Sequence, residues 1–181
     1  MNRILLFTLF IFSAPFAQDQ DASTYSLHSP NGLVRFALNS KVDGSLFYDV
    51  QSGDRTILDK SFLSFKLSGE GHCRFKIIDT RPSSTDATWH PIYGERSTIR
   101  DKYEQLDIDL ILLSPKPLAL TLTCRCYDEG VAFRFTFPRQ DNFGHIENLS
   151  ENSEFSFTDN FETWAVYSAQ GEYEKARISD L

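Results

Sequence analysis

Cysteine is scarce in this 181-residue chain, which has three, at Cys73, Cys124 and Cys126. So small and odd a number does not describe a disulfide framework. Cys124 and Cys126 stand two apart in a strand-like run, so they share a face and cannot bridge without strain. There is no CxxC spacing, which argues against a cysteine metal site. All three read as small core hydrophobes. Positive charge is also in short supply. Eighteen Lys and Arg face 25 Asp and Glu, for a net charge of -7, and no basic stripe exists to follow a phosphate backbone, which excludes nucleic acid as a partner. Sustained helical periodicity, internal repeats and low-complexity linkers are missing. So are the G-x-S-x-G elbow of serine hydrolases, the P-loop and the Rossmann glycine pattern.

What is abundant is phenylalanine, with 16 residues, in a chain that is 41% hydrophobic and 24% charged. That is the composition of one globular domain with a proper core, and large flat side chains suit a β-rich interior. The N-terminal "MNRILLFTLFIFSAPFAQDQ" stands apart. Arg3 precedes an apolar run from Ile4 to Phe12 and a small-residue region ending at Ala17, the layout of a secretory signal peptide over 1–17. A membrane anchor is the competing reading, but the run is shorter than the ~20 residues a spanning helix needs. No later stretch is apolar enough to span a bilayer. Residues 18–26 read as a flexible lead into the domain. Export to the periplasm or beyond follows from the signal peptide.

Val34, Phe36 and Leu38 alternate with Arg35 and Ala37, a strand signature. "KVDG" is a turn, "SLFYDV" a strand and "QSGD" a turn. "FLSFKL" and "CRFKII" follow as strands around "SGEG". "RPSSTDAT" reads as a loop. "LDIDLILL" places Leu106, Ile108, Leu110 and Leu112 on one face; "SPKP" ends it. "LALTLTCRC", "VAFRFTF" and "SEFSF" complete the series. Strands at intervals of about ten residues, separated by turn signals, predict an all-β, antiparallel β-sandwich. In the hairpin formed by "LALTLTCRC" and "VAFRFTF", matching apolar faces requires even-numbered residues to oppose odd ones. A two-residue turn at Glu129-Gly130 satisfies this and sets Arg125 against Arg134. Either both arginines are solvated surface groups, or a carboxylate lies between them, because like charges directly opposed are destabilising.

The stretch "TWHPIYGERSTIRDKYEQL", residues 88–106, gathers Trp89, Pro91, Tyr93 and Gly94 ahead of Glu95, Arg96, Arg100 and Asp101. Pro91 fixes its own φ and biases His90 to extended geometry, and Gly94 permits a tight turn. One reading makes the rings packing elements at the start of a strand. The other places Trp89, Tyr93, Glu95 and Arg100, with Arg125 and Arg134, at a pocket rim or domain interface. Pairs of acidic residues occur at Asp107/Asp109, Asp128/Glu129 and Glu151/Glu154. In an acidic protein such pairs arise by chance, and no independent catalytic dyad is expected among them.

Taken in order, "TWHPIYGERSTIRDKYEQL", "CRCYDEGVAFRFTFP", "SENSEFSF" with Trp164, and "QGEYEK" resemble the amino-terminal domain of glycoside hydrolase family 97, the bacterial α-glucosidases and α-galactosidases. The resemblance covers residues 27–181. It implies a β-sandwich of the galactose-mutarotase-like super-sandwich kind, incomplete at its C-terminus. It also implies that further strands and a (β/α)₈ catalytic barrel follow Leu181. That barrel would carry both catalytic carboxyls, so no catalytic residue is expected here. In this family the sandwich lends one glutamate of a Y-E motif to an active-site calcium ion. The matching residue is Glu174, with Glu172 as the alternative because the alignment can slide by two. "YSAQGEYEK" is more similar to the galactosidase branch.

Two functions follow as expectations. One is the sandwich part of an exported α-glycoside hydrolase, inactive without its barrel and acting with it on α-linked oligosaccharides. The other is a free-standing carbohydrate-binding or interaction module that uses Trp89, Tyr93 and Trp164 as sugar platforms. Burial of those rings favours the first, the fate expected of aromatics in a β-rich core. A flat exposed row favours the second.

Overall fold

The computed structural model describes residues 22–67, 72–113, 117–141 and 149–181. The expected signal peptide lies outside the described residues, as do the "SGEG" turn and most of "SPKP". Two four-stranded antiparallel sheets dominate. The first runs β1 (Ser23–His28), β2 (Val34–Ser40), β3 (Leu46–Ser52) and β4 (Arg55–Phe62) side by side in chain order. After β5 (Phe65–Leu67), the second sheet follows with β6 (Phe75–Trp89), β7 (Ile99–Leu112), β8 (Leu118–Tyr127) and β9 (Gly130–Thr136), again in order. Two small ribbons complete the set: β10 (Leu149–Glu151) pairs with β5, and β11 (Glu162–Ala165) pairs with β12 (Glu174–Arg177). A 3₁₀ turn, Ile178–Asp180, follows β12. Among the described residues there is no α-helix and no closed barrel, and the architecture is the all-β sandwich that the strand spacing predicts.

Alternation explains how the sheets face each other. Val34, Phe36 and Leu38 of β2 and Leu46, Tyr48 and Val50 of β3 are buried. They join one core with Leu106, Ile108, Leu110 and Leu112 of β7 and with Leu118, Leu120, Leu122, Cys124 and Cys126 of β8. Each fully buried aliphatic side chain contributes about 1.5–3 kcal/mol. At one end the core is aromatic: the Phe65 ring lies 5.6 Å from Phe75 and 5.0 Å from Phe135, centroid to centroid. All three cysteines are buried and outside any disulfide, in the role of small hydrophobes. The Cys126 thiol donates across the layers to the Val34 carbonyl at 3.4 Å.

Turns tie the layers together. Gly44 has φ of 82°, the left-handed region open to glycine, and closes the β2–β3 turn by donating to the Lys41 carbonyl at 2.9 Å. Its own carbonyl accepts the Phe75 amide of the other sheet at 2.8 Å. The Asn31 amide, in the β1–β2 turn, donates to the Asp128 carboxylate at 2.8 Å.

Several local expectations are corrected. The β8–β9 turn is Asp128-Glu129, with Tyr127 opposite Gly130, and not Glu129-Gly130. The register therefore slides by two residues: Cys124 faces Phe133, Arg125 faces Ala132 and Arg134 faces Thr123. The apolar faces still match, because a two-residue slip preserves alternation. "RPSSTDAT" is not a loop. It continues β6, paired with β7 from Arg81 opposite Asp107 to Thr88 opposite Arg100. β6 is an edge strand, where proline is tolerated, and this half of it is exposed or half-exposed throughout, so apolar alternation fades. Ser23 to Ser26, read as part of a flexible lead, pair in register with Ser40 to Ala37. "FLSFKL" is split between β4 and β5. "SEFSF" makes a single bridge, Phe157 opposite Leu58, rather than a strand.

Candidate functional site

The long β6–β7 hairpin carries the "TWHPIYGERSTIRD" stretch at its tip. Trp89 ends β6 and Ile99 begins β7, facing each other. Between them the His90 Nδ1 atom lies 2.9 Å from the Ser97 carbonyl and 3.3 Å from the Thr98 hydroxyl, which fastens the two ends of the tip. Gly94 takes φ of 134° with open space where a Cβ would stand, so glycine is needed for conformation and not for room. Arg100 makes a two-pronged contact with Asp86, Nε at 2.8 Å and Nη2 at 2.7 Å. That pairing holds the Asp86 carboxyl below its usual range.

The rings at this tip are not core residues. Trp89 is 51% and Tyr93 90% exposed, and Trp164, on β11, is 63% exposed. Ile92, Tyr167 and Tyr173 are exposed with them. The packing role expected for Trp89 and Tyr93 is therefore overturned. The physical reason is local: β6–β7 pairing runs out to Trp89 opposite Ile99, whereas β8 covers β7 only as far as Tyr103 opposite Tyr127.

Arg125 and Arg134 are not opposed across the ladder. They share the rim of a shallow depression of about 140 Å³ beside Thr123 and Tyr127. Arg125 donates through Nε to the Gln105 side chain at 2.7 Å and lies over the Tyr103 ring at 4.0 Å. Among the described residues an amide and two tyrosines meet the Arg125 guanidinium. The same outer face occupies the acidic pair of β7. Asp109 is gripped by both terminal nitrogens of Arg81 and accepts the Thr121 hydroxyl at 3.0 Å. Asp107 accepts Thr123 at 2.6 Å and Gln105 at 3.0 Å. The Arg81 guanidinium holds Asp109 below the usual carboxylate range, which suits a structural ion pair and not a proton donor. Asp128 and Glu129 form the hairpin turn, and the Glu154 carboxylate accepts the Phe62 amide at 3.3 Å.

Glu172 and Glu174 flank Tyr173 in the strand-joining segment of the β11–β12 ribbon. Glu174 opens β12 opposite Ala165, while Glu172 lies in the preceding segment. Both are exposed, and neither carboxylate makes a hydrogen bond or ion pair among the described residues. Among those residues no cluster of three or more metal-ligating side chains forms. This pair therefore has the oxygen chemistry for a hard cation such as calcium, but as a donor of one or two ligands rather than a whole site.

Sequence reasoning passed over one feature. The outer face of the β1–β4 sheet is hollowed into a concavity of about 580 Å³. Its walls include Arg35, Asn39, Asp49 and Gln51. These are the polar alternates of the strands whose apolar residues build the core, and that parity was the available signal.

Comparison with known proteins agrees with this architecture. The family model described as "Glycosyl-hydrolase 97 N-terminal" matches residues 27–181. Among solved structures, a glycoside hydrolase family 97 enzyme from Pseudoalteromonas sp. strain K8, in complex with acarbose, is similar with a TM-score of 0.71 and 21% identity. The match covers 86% of this chain and 25% of that one. A variant of a family 97 enzyme from the same strain, in complex with panose, matches with a TM-score of 0.70, 21% identity and the same coverage of both chains. A beta-arabinopyranosidase matches with a TM-score of 0.66 and 18% identity, over 83% of this chain and 26% of that one. At these identities the likeness speaks to the fold. The chain spans about a quarter of the length of the solved enzymes it matches.

Proposed function

Because this chain belongs to glycoside hydrolase family 97, as its amino-terminal domain, we propose that it serves as the sandwich part of an exported α-glycoside hydrolase, an α-glucosidase or α-galactosidase. The observation that carries the reading is the family match across residues 27–181, set beside a coverage of only a quarter of the solved enzymes. On this reading the sandwich packs against a (β/α)₈ catalytic barrel. Glycoside hydrolysis needs one carboxyl to protonate the leaving oxygen and a second as base or nucleophile. On this reading both roles fall to the barrel, and among the described residues Asp107 and Asp109 are engaged in the β7 network. The substrate is an α-linked oligosaccharide.

Calcium, when bound, supplies a positive charge that orients substrate oxygens. Glu174, or Glu172 in the alternative alignment, is the residue this chain lends to it. The fit rests on exposed carboxylate oxygens with no competing partner among the described residues. On this reading the exposed Trp89 and Tyr93, with Glu95, Arg100, Arg125 and Arg134, face the barrel or the pocket rim. Among the described residues no helix is long and apolar enough to cross a membrane, and the signal-peptide layout of 1–17 directs the protein to the periplasm or outside.

The test is an immunoblot of source cells against residues 27–181, followed by purification of the detected protein. A band several times heavier than this chain, with calcium-dependent α-glycosidase activity lowered by Glu174→Gln or Glu172→Gln, is the expected result. The chain on its own hydrolyses no p-nitrophenyl α-glycoside and binds calcium weakly or undetectably by calorimetry. Turnover by the isolated chain, or tight calcium binding, overturns the reading.

A second reading has one observation in its favour: Trp89, Tyr93 and Trp164 are all exposed, as platforms of a free-standing carbohydrate-binding module would be. It requires that quenching of tryptophan fluorescence by a sugar disappear in Trp89→Ala or Trp164→Ala.

A further inference from the structure

The concavity on the outer face of the β1–β4 sheet has no part in the Trp89–Ile99 tip or the Glu172–Glu174 segment. At about 580 Å³ it falls within the roughly 300–1,000 Å³ of small-molecule sites. Its floor is built by a departure from regular pairing. The register steps from Tyr48 opposite Ser61 to Val50 opposite Leu58, so Asp59 and Lys60 together oppose Asp49. Such a bulge bends the strand and re-aims its side chains. Lys60 takes φ of 46°, the one non-glycine positive φ among the described residues. Asp49 holds it there: one carboxylate oxygen accepts the Lys60 amide at 2.7 Å, and the other accepts the Asn39 side-chain amide at 2.7 Å. A strained, over-determined backbone of this kind is characteristic of binding sites.

The lining selects a class of ligand. Arg35, Lys41 and Lys60 face Asp49 and Asp59, a net charge of +1 with both signs present, so charge alone does not define an ionic ligand. The Lys41 ammonium lies 4.1 Å over the Phe47 ring, so the one aromatic side chain of the lining is shared with a cation. What remains is a dense mixture of donors and acceptors. The Thr56 hydroxyl, the Asp59 carboxylate and the Lys60 ammonium make no side-chain hydrogen bond or ion pair among the described residues. Arg35 reaches Gln51 and Ser26 only at 3.5 and 3.2 Å. Planar guanidinium, amide and carboxylate groups side by side match vicinal hydroxyls, each of which both donates and accepts.

We propose that this concavity is a second, non-catalytic carbohydrate site that takes a neutral sugar of one or two hexose units. The polyhydroxylated class follows from the lining; the choice of α-linked hexoses rests on the family reading.

The test is hydrogen-exchange mass spectrometry of the purified protein with and without maltose or melibiose at tens of millimolar. The expected result is sugar-dependent protection of peptides within 35–41 and 47–60. Arg35→Ala and Gln51→Ala, checked for an unchanged melting temperature, each weaken it about fivefold or more. Neither residue belongs to the core. Absence of protection in those peptides with both sugars overturns the proposal. So does protection that both variants retain, or equal protection by inorganic phosphate, which marks an anion site. The family reading fails separately, on the immunoblot and the calcium-dependent activity, so a negative result here leaves it standing.

Discussion

Arg81 stands directly across the ladder from Asp107 yet pairs with Asp109, two residues along the same face. The diagonal leaves Asp107 to Thr123 and Gln105 and gives Asp109 the guanidinium and the Thr121 hydroxyl. The Arg81 contact is the chief cause that lowers the Asp109 pKa. A carboxyl whose folded pKa lies below its unfolded value stabilises the fold at pH above the unfolded pKa, and that contribution is lost as pH falls through the folded value. Asp109→Asn removes the linkage. The melting-temperature gap between wild type and Asp109→Asn is therefore expected to be full near pH 6 and to close below about pH 4. Thermal melts across that range check it; a gap that does not change with pH contradicts a charge-linked role for the pair.

Gly44 carries two constraints at once. Its φ of 82° disfavours any side chain, and a Cβ there would stand 2.9 Å from the Phe75 carbonyl oxygen and 3.0 Å from the Phe75 nitrogen. Those are backbone atoms of the other sheet, fixed by the Phe75-to-Gly44 hydrogen bond at 2.8 Å. Gly44→Ala is expected to cost about 2 kcal/mol or more, above the strain of left-handed backbone alone. Gly53, with φ of 56° and open space around it, is the control: Gly53→Ala carries the strain without the clash. Urea titrations of both variants give the comparison, and equal losses would mean that the sheets part easily at Phe75.

These residues show which parts of the molecule a sequence reader can see. The faces of β2, β7 and β8 were legible, because burial of one side forces apolar residues to every second position. The partner of each residue was not. Alternation sets parity, so the β8–β9 hairpin satisfied it equally with turns at Glu129-Gly130 or Asp128-Glu129. The long-range contact from Asn31 to Asp128 that anchors the observed turn leaves no local mark. The outer half of β6 was illegible because its stability comes from pairing with β7 and not from a buried face. The tip residues Trp89 and Tyr93 were recognisable as a cluster, but ring type alone does not tell core from surface. The Glu172–Glu174 segment was noticed only through family resemblance, since exposed glutamates in an acidic chain carry no signal of their own. The β1–β4 concavity depends on a bulge and on Lys60 adopting a left-handed φ, neither of which a lysine announces.

Tyr48 bridges the core and the chain beyond β10. Its ring is fully buried, stacked 5.7 Å from Phe36, and its hydroxyl donates to the Glu154 carbonyl at 2.6 Å. Burial pushes the phenol pKa up to about 12, so the donor stays protonated throughout the neutral range. Tyr48→Phe keeps the packing and orphans the carbonyl, for an expected loss of about 1–2 kcal/mol. Exchange of the 152–158 backbone amides should speed up with it. An unchanged stability would show that water replaces the phenol at Glu154.

Ile108 and Leu122 face each other across β7 and β8 at the centre of the core, both without solvent exposure. Leu122→Ala removes packing from a position that cannot collapse onto a neighbouring strand without breaking the ladder. A loss of about 2–5 kcal/mol is expected by denaturant titration. A loss under 1 kcal/mol would indicate that the two sheets close up around the gap.

The thiols give the last expectation. Burial pushes Cys124 up to about 12 and Cys126 up to about 11, so almost no thiolate, the reactive species, exists at pH 8. Cys73 is buried as well. Accessible thiols invite mispairing under oxidising conditions unless the fold sequesters them. Cys124 and Cys126 lie on one face of β8 inside the sandwich, which keeps them from partners on other chains. A thiol-reactive chromophore should therefore label none of the three in the folded protein over an hour at pH 8, and all three at once above the denaturation midpoint. Stepwise labelling, with one thiol reacting before global unfolding, would locate a sheet edge that opens on its own. Fast labelling of Cys126 in particular would mean that the Val34–Cys126 contact between the layers is transient.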